Sequence, residues 1–218
     1  MFSAVDYLDL AHTRHGVLFG ADQPVWSALQ NLASYLEFRL KPEIRSPLPP
    51  GAHVTHDVFI DEDCEIDPGV VIRGPAWIGR NCHLRAGCYI RENVIIGNGC
   101  VVGNSCEIKH SILFDDCQVP HFNYVGDSIL GHAAHLGAGA ILSNFRLDQR
   151  AIDVRLPDGK LQATGMRKFG AIIGDRCQIG CNSVINPGTL LGPDSVVHPL
   201  TAVQGTHPHH STIKPTRA

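Results

Sequence analysis

From Val54 to Phe114 a bulky apolar residue returns at every sixth position: Val54, Ile60, Ile66, Ile72, Ile78, Leu84, Ile90, Ile96, Val102, Ile108 and Phe114. Four places after most of these stands a second, generally smaller residue: Val58, Cys64, Val70, Ala76, Cys82, Cys88, Val94, Cys100, Cys106 and Ile112. A period of six fits neither a 3.6-residue helix nor a plain alternating strand. It is the spacing of a hexapeptide β-helix, in which short parallel strands stack coil on coil and the repeated aliphatics fill the interior. The period breaks after Phe114 and resumes in a new phase with Leu130, Leu136 and Leu142, with Ala134 and Ala140 at the small position. After a second break Ile173, Ile179, Ile185, Leu191, Val197 and Val203 carry it on, with Cys177, Ser183, Thr189, Ser195 and Thr201 in the small place.

Interruptions in a solenoid are where loops leave the stack, and such loops often form the binding face. Residues 117–127 and 143–170 are the two candidates. The second holds IDVRL and KLQAT around Pro157, Asp158 and Gly159, a hairpin signal that predicts a projecting β-arm. Ahead of the repeats, Asp22 or Gln23 as cap, Pro24 in the first turn, and Val25, Leu29, Leu32 and Leu36 on one face predict a helix. Solenoid ends need covering, so this helix is expected at the end of the stack, as a cap or a subunit contact. SPLPPG at 46–51 reads as a linker. The expected organisation is a helical cap and linker over 1–53, the β-helix over 54–205 with its arm at 143–168, and a tail over 206–218.

At 218 residues the chain suits one domain, and its formal charge of -3 without a basic run gives no nucleic-acid footprint. The first twenty residues lack the charged start and apolar block of a signal peptide, and no apolar run approaches the roughly 18 residues of a membrane span. A soluble cytoplasmic protein with no membrane or nucleic-acid partner is expected. Cys64, Cys82 and Cys100 are spaced by 18, as are Cys88 and Cys106. With three hexads per coil these thiols stack at the small inward position as buried hydrophobes, and no C-x-x-C pair argues for zinc or redox chemistry. Among thirteen histidines, His121 stands out by position, at the first break beside Tyr124. A near-neutral imidazole suits a general base, although an exposed loop histidine is the alternative. His207, His209 and His210 read as a solvated terminus, and no two histidines are five apart as a trimeric β-helical carbonic anhydrase would want.

The stretches HFNYVGDSILG (121–131), LGAGAILSNFRLD (136–148) and RKFGAIIGD (167–175) resemble the C-terminal left-handed β-helix of the sugar-1-phosphate nucleotidylyltransferases. These include the bifunctional N-acetylglucosamine-1-phosphate uridylyltransferase/glucosamine-1-phosphate N-acetyltransferases, and the resemblance, over roughly residues 20–205, is to the archaeal-type branch with its longer arm. It implies an all-β, left-handed parallel β-helix and an acyltransferase that moves acetyl from acetyl-CoA to an amino-sugar 1-phosphate such as glucosamine 1-phosphate, with no metal required. It also implies a homotrimer with sites between subunits. By the same resemblance His121 is the general base, and Arg91, Glu107, Lys109, Tyr124, Asn144 and Lys168 line the sugar-phosphate pocket. A phosphate dianion calls for several cationic donors, which Arg91, Lys109 and Lys168 supply.

The acyl-donor side departs from the family pattern. An asparagine fourteen residues after the base is His135 here, and a serine near the thioester is Cys181; a backbone N–H near Ala138 is the expected oxyanion donor. Where two arm lysines follow the asparagine in that branch, this chain has Arg150 and Asp153. The residues before the repeats are too few for a nucleotidylyltransferase fold and hold no G-x-G-T-R loop, so pyrophosphorylase activity is not expected. The alternatives are a non-catalytic trimeric β-helix that binds a sugar nucleotide or partners a separate nucleotidylyltransferase chain, and acyl transfer to another acceptor, for example a nucleotide-linked amino sugar.

Overall fold

The computed structural model describes residues 2–156 and 158–215. Three parallel sheets of nine, eight and eight strands run side by side along the chain. Sheet 1 carries strands such as Val58–Ile60, Ala76–Ile78 and Val94–Ile96; sheet 2, Glu65–Ile66, His83–Leu84 and Gln118–His121; sheet 3, Val71–Ile72, Glu107–Lys109 and Tyr124–Gly126. Each full turn of the solenoid contributes one strand to each sheet, so strands inside the stack pair with the coil before and the coil after. The expected β-helix is therefore the fold. Its interior is an unbroken column of the repeated aliphatics, from Ile60 to Val203.

The cysteines behave as read. Cys64, Cys82, Cys100, Cys117 and Cys177 are buried, and each thiol donates to a carbonyl of the next coil, at 3.0 Å for Cys64 to Gly79 and 3.2 Å for Cys177 to Gly192. Burial pushes the Cys88 and Cys177 thiols up to about 12, so neither is a thiolate nucleophile.

The first break is not a loop. Ile78 pairs with Ile96, eighteen residues on, but Ile96 pairs with Leu113, seventeen on. The corner after Ile108 has lost one residue, so Leu113 rather than Phe114 enters the interior, and Phe114 and Ile112 turn outward. Residues 117–127 then supply two regular strands, Gln118–His121 and Tyr124–Gly126. At the shortened corner Ser111 takes the place of Val94, its hydroxyl donates to the Lys109 carbonyl at 2.7 Å, and its oxygen accepts the Ser128 N–H at 3.1 Å.

The second break does leave the stack. Asp153–Arg155 and Leu161–Ala163 form the antiparallel hairpin, with Gly159 at φ +85°; Pro157 lies outside the described residues. The arm does not stand free as expected, because Ile152 and Val154 are buried against sheet 1 with Phe169 and Leu190. The N-terminal segment lies on the same surface rather than on the end of the solenoid. Three short 3-10 turns precede the helix α1, Ser27–Arg39, whose Leu29, Leu32 and Leu36 are fully buried along with Val25. They cover Ile95, Ile112, Phe114, Ile129 and Ile172 on the outside of sheet 1. The physical reason is area: the outward row of sheet 1 is apolar from Phe59 to Leu190, so it offers far more hydrophobic surface than the end does. The solenoid also runs past residue 205, with Thr206–His207 and Thr212–Ile213 paired onto sheets 1 and 2.

Candidate functional site

Sheet 3 has two corners, and the predicted site residues divide between them. At the corner with sheet 2, His121 ends a strand that pairs with Val101–Asn104 out to Asn104↔His121. This close approach needs Gly103, where a Cβ would fall 1.5 Å from the Pro120 carbonyl oxygen. The His121 carbonyl accepts from Gly139 at 3.0 Å, and its N–H donates to the side-chain oxygen of Asn123, also at 3.0 Å. Asn123 is buried in the position that Cys106 holds one coil earlier, and its amide donates to the Gly137 and Ala140 carbonyls at 2.8 and 3.1 Å. The strand end is thus braced, while the His121 ring is exposed and, among the described residues, has no hydrogen-bond partner. Beyond it on successive coils follow Ala138, whose carbonyl accepts from Asn182, and Cys181, the exposed cysteine. His135 lies away from this corner, on sheet 2 between Gln118 and Gln178.

At the corner with sheet 1 the other candidates meet. Tyr124 sits opposite Glu107 and reaches toward Asn144, whose amide donates to its hydroxyl at 3.1 Å. Arg91 pairs with Glu107 at 2.9 Å and Glu92 at 3.3 Å, and Lys109 with Asp127 at 3.3 Å. Lys168 is brought alongside by an antiparallel bridge to Phe145, next to Asn144. Arg91, Glu107, Lys109, Tyr124, Asn144 and Lys168 are therefore one cluster, with His121 three residues before Tyr124 at the opposite corner.

Two members of the cluster were not singled out by the sequence reading. Asp127 is nearly buried and accepts from His110 at 2.8 Å, from Lys109 and from the Asn144 amide. Burial pushes its carboxyl up, but the His110 hydrogen bond, the Lys109 ammonium and Asn144 outweigh that and hold it below the usual aspartate range. It is thus a fixed anion that organises three side chains. The signal available was spacing: His110 and Asp127 are 17 apart, as are Asp127 and Asn144, which is one short coil. Arg91 and Lys109 are consequently not bare cations, and of the three expected phosphate donors Lys168 alone has no carboxylate partner among the described residues. The Arg91 guanidinium is held above its ordinary value by the hydrogen bond to Glu107.

Residues 72–155 match the GMPPB C-terminal domain, and residues 170–198 match the hexapeptide repeat of succinyl-transferase. The solenoid belongs to the hexapeptide-repeat β-helices. A bifunctional sugar-1-phosphate nucleotidylyltransferase/acetyltransferase of Sulfurisphaera tokodaii is 35% identical over 146 residues, 67% of this chain and 36% of that protein. A bifunctional protein GlmU of Methanococcus vannielii is 34% identical over 87 residues, 40% of this chain and 20% of that protein. The chain thus spans about a third or less of the length of these relatives. Among solved structures, UDP-N-acetylglucosamine acyltransferase from Campylobacter jejuni aligns with 76% of this chain and 69% of its own at 15% identity and a TM-score of 0.44. No helix among the described residues is long and apolar enough to cross a membrane.

Proposed function

We propose that this hexapeptide-repeat protein is an acetyltransferase that carries the acetyl group of acetyl-CoA to the amine of an amino-sugar 1-phosphate, glucosamine 1-phosphate being the test case. The observation that carries the reading is the pairing of an exposed, unpartnered His121 ring on a braced strand end of sheet 2 with the Lys109–Asp127–Asn144–Tyr124 cluster on the sheet 3 strand that follows it. In the reaction the neutral amine attacks the thioester carbon, His121 takes the proton it sheds, and the carbon–sulfur bond breaks to release CoA as the thiol with that proton. Direct transfer leaves no role for a cysteine nucleophile. Lys109, Lys168 and Arg91 serve the sugar phosphate, Asp127 and Glu107 hold two of those cations in place, and Tyr124 and Asn144 order the sugar. The thioester lies along the Ala138 and Cys181 column, where a backbone N–H stabilises the oxyanion. His121 and the cluster lie on the outside of a flat-faced prism, so the site is completed between subunits of a homotrimer.

His121→Ala is expected to lower turnover by on the order of 10²–10⁴-fold with little change in stability. Unchanged acetylation of glucosamine 1-phosphate by that variant, or a monomer by sedimentation at working concentration, would overturn the proposal. A second reading draws on the internal neutralisation of Arg91 and Lys109: a non-catalytic trimer that binds a sugar nucleotide or docks a nucleotidylyltransferase chain. Calorimetry with acetyl-CoA separates the two, since that module has no reason to bind the coenzyme.

A further inference from the structure

On successive strands of sheet 3 the residue just past the inward aliphatic is Arg73, then Arg91, then Lys109, and their N–H or neighbouring strand bonds run Arg73 to Ile90 at 2.7 Å and Arg91 to Ile108 at 2.8 Å. The three cations therefore form a column with one strand spacing, about 4.8 Å, between steps. The acids beside this column are already engaged: Glu92 and Glu107 by Arg91, and Asp127 by Lys109. Arg73 differs. Among the described residues its guanidinium has no carboxylate partner, and it lies 5.8 Å from the centre of the Tyr89 ring.

Arg73 also lines a groove of ≈ 920 Å³, together with His53, Thr55, His56, Asp57 and Glu92. Glu92 connects the groove to the site, because its carboxylate is 3.3 Å from Arg91. A single phosphate held by Arg91, Lys109 and Lys168 ends one strand short of Arg73, about 5 Å away. Nothing in a sugar 1-phosphate would occupy that distance.

Resting on the acetyltransferase reading, we infer that the acceptor is a nucleotide-linked amino sugar whose nucleoside diphosphate runs along the Arg73–Arg91–Lys109 column, with the nucleoside in the groove lined by Arg73, His53 and Asp57. An arginine fork matches phosphate oxygens in two-point fashion, and a guanidinium or tyrosine face stacks on a base. Asp57, half-buried on the groove wall with one oxygen accepting from Thr55 at 2.7 Å, offers its other oxygen to ribose hydroxyls. The same diphosphate chemistry exists in CoA, so the donor is the competing source.

The test titrates UDP, GDP, CoA and 3′,5′-ADP into the full chain and into Arg73→Ala and Arg73→Gln, and in parallel follows acetyl transfer to UDP-linked and GDP-linked amino sugars and to glucosamine 1-phosphate. UDP or GDP should bind, both variants should weaken it at least tenfold while CoA affinity holds, and KM for the nucleotide-linked acceptor should rise at least tenfold with kcat within twofold. Loss of CoA or 3′,5′-ADP binding in place of UDP and GDP binding would assign the column to the donor and overturn the inference. So would transfer to glucosamine 1-phosphate without measurable binding of either nucleoside diphosphate, an outcome that leaves the acetyltransferase reading standing. Arg73-dependent UDP or GDP binding with no acetyl transfer to any amine would sink that reading and uphold the groove.

Discussion

Sheets 1 and 3 are built from the same coils and share one interior, yet their outer faces have opposite fates. The outward row of sheet 1 runs Phe59, Trp77, Ile95, Ile112, Ile129, Ile172 and Leu190, and it is covered by the N-terminal segment and the arm. On sheet 3 the equivalent row runs Val71, Tyr89, Glu107, Tyr124, Ile141 and Val184 and is open. In a solenoid the inward residues are spoken for, so the outward row alone decides whether a face becomes core or surface. One side of the prism is a second hydrophobic core, while the other stays open.

A matched pair of substitutions tests that difference with the largest expected effect. Ile129 is fully buried on sheet 1, and Ile141 is half-exposed on sheet 3, one coil part apart. Ile129→Ala should cost about 3–4 kcal/mol, because both the transfer term and a cavity are incurred. Ile141→Ala should cost less than about 1 kcal/mol, as an open surface site leaves no cavity. Equal losses in urea unfolding would mean that sheet 3 is covered in solution as well.

The cover has its own signature in pH. His15 is buried under it, with Nδ1 2.9 Å from the Tyr35 hydroxyl and its ring edge-on to Trp77 at 5.0 Å. Burial, aided by Arg14 and Arg39, lowers its pKa to about 4. The unfolded chain takes up this proton near pH 6.5 and the folded chain only near pH 4. The stability that depends on a neutral His15 is thus complete above pH 6.5, falls as pH drops through that window, and is gone below about 4. The shift corresponds to about 3 kcal/mol. His15→Phe should remove this share of the slope, read as the difference between the two unfolding curves across pH 4–7. Parallel curves would place His15 in water.

The interior was legible because one rule, an aliphatic every sixth residue, is repeated too often to mistake. It failed where the coil first shortens, after Ile108. Leu113 and Phe114 are both apolar, and the period favours Phe114; only the new phase at Leu130 reveals that a residue has been lost. The interruption of the period made 117–127 look like a loop, whereas the partners that make it two strands lie a coil away. The cover was harder still, since residues 2–19 meet a flat sheet through single contacts such as Phe19 on Phe114 at 5.5 Å, which impose no period. In the site, motif text located His121, Tyr124 and Asn144. It could not show that Asp127 is buried among them, because that depends on stacking residues 17 and 18 apart.

The smallest expected effect lies at the open corner. Phe122 follows His121 with φ +53°, in the left-handed region, and its ring is 60% exposed. An L-residue other than glycine or asparagine costs about 1–2 kcal/mol there, and burial returns little of it. The residue one coil earlier, Ser105, has the same φ and is small and polar. Phe122→Asn should therefore raise stability by about 0.5–1 kcal/mol, seen as a higher urea midpoint at unchanged slope. A strained aromatic ring held out beside His121 fits contact with a ligand or a neighbouring subunit, which predicts a few-fold rise in KM with kcat within twofold. A stabilised variant with unaltered kinetics would make Phe122 a turn residue only, and the functional surface would then end at His121. A destabilised variant would mean that the ring packs against something in the free chain, and that the sheet 3 side is less bare than its partner face is covered.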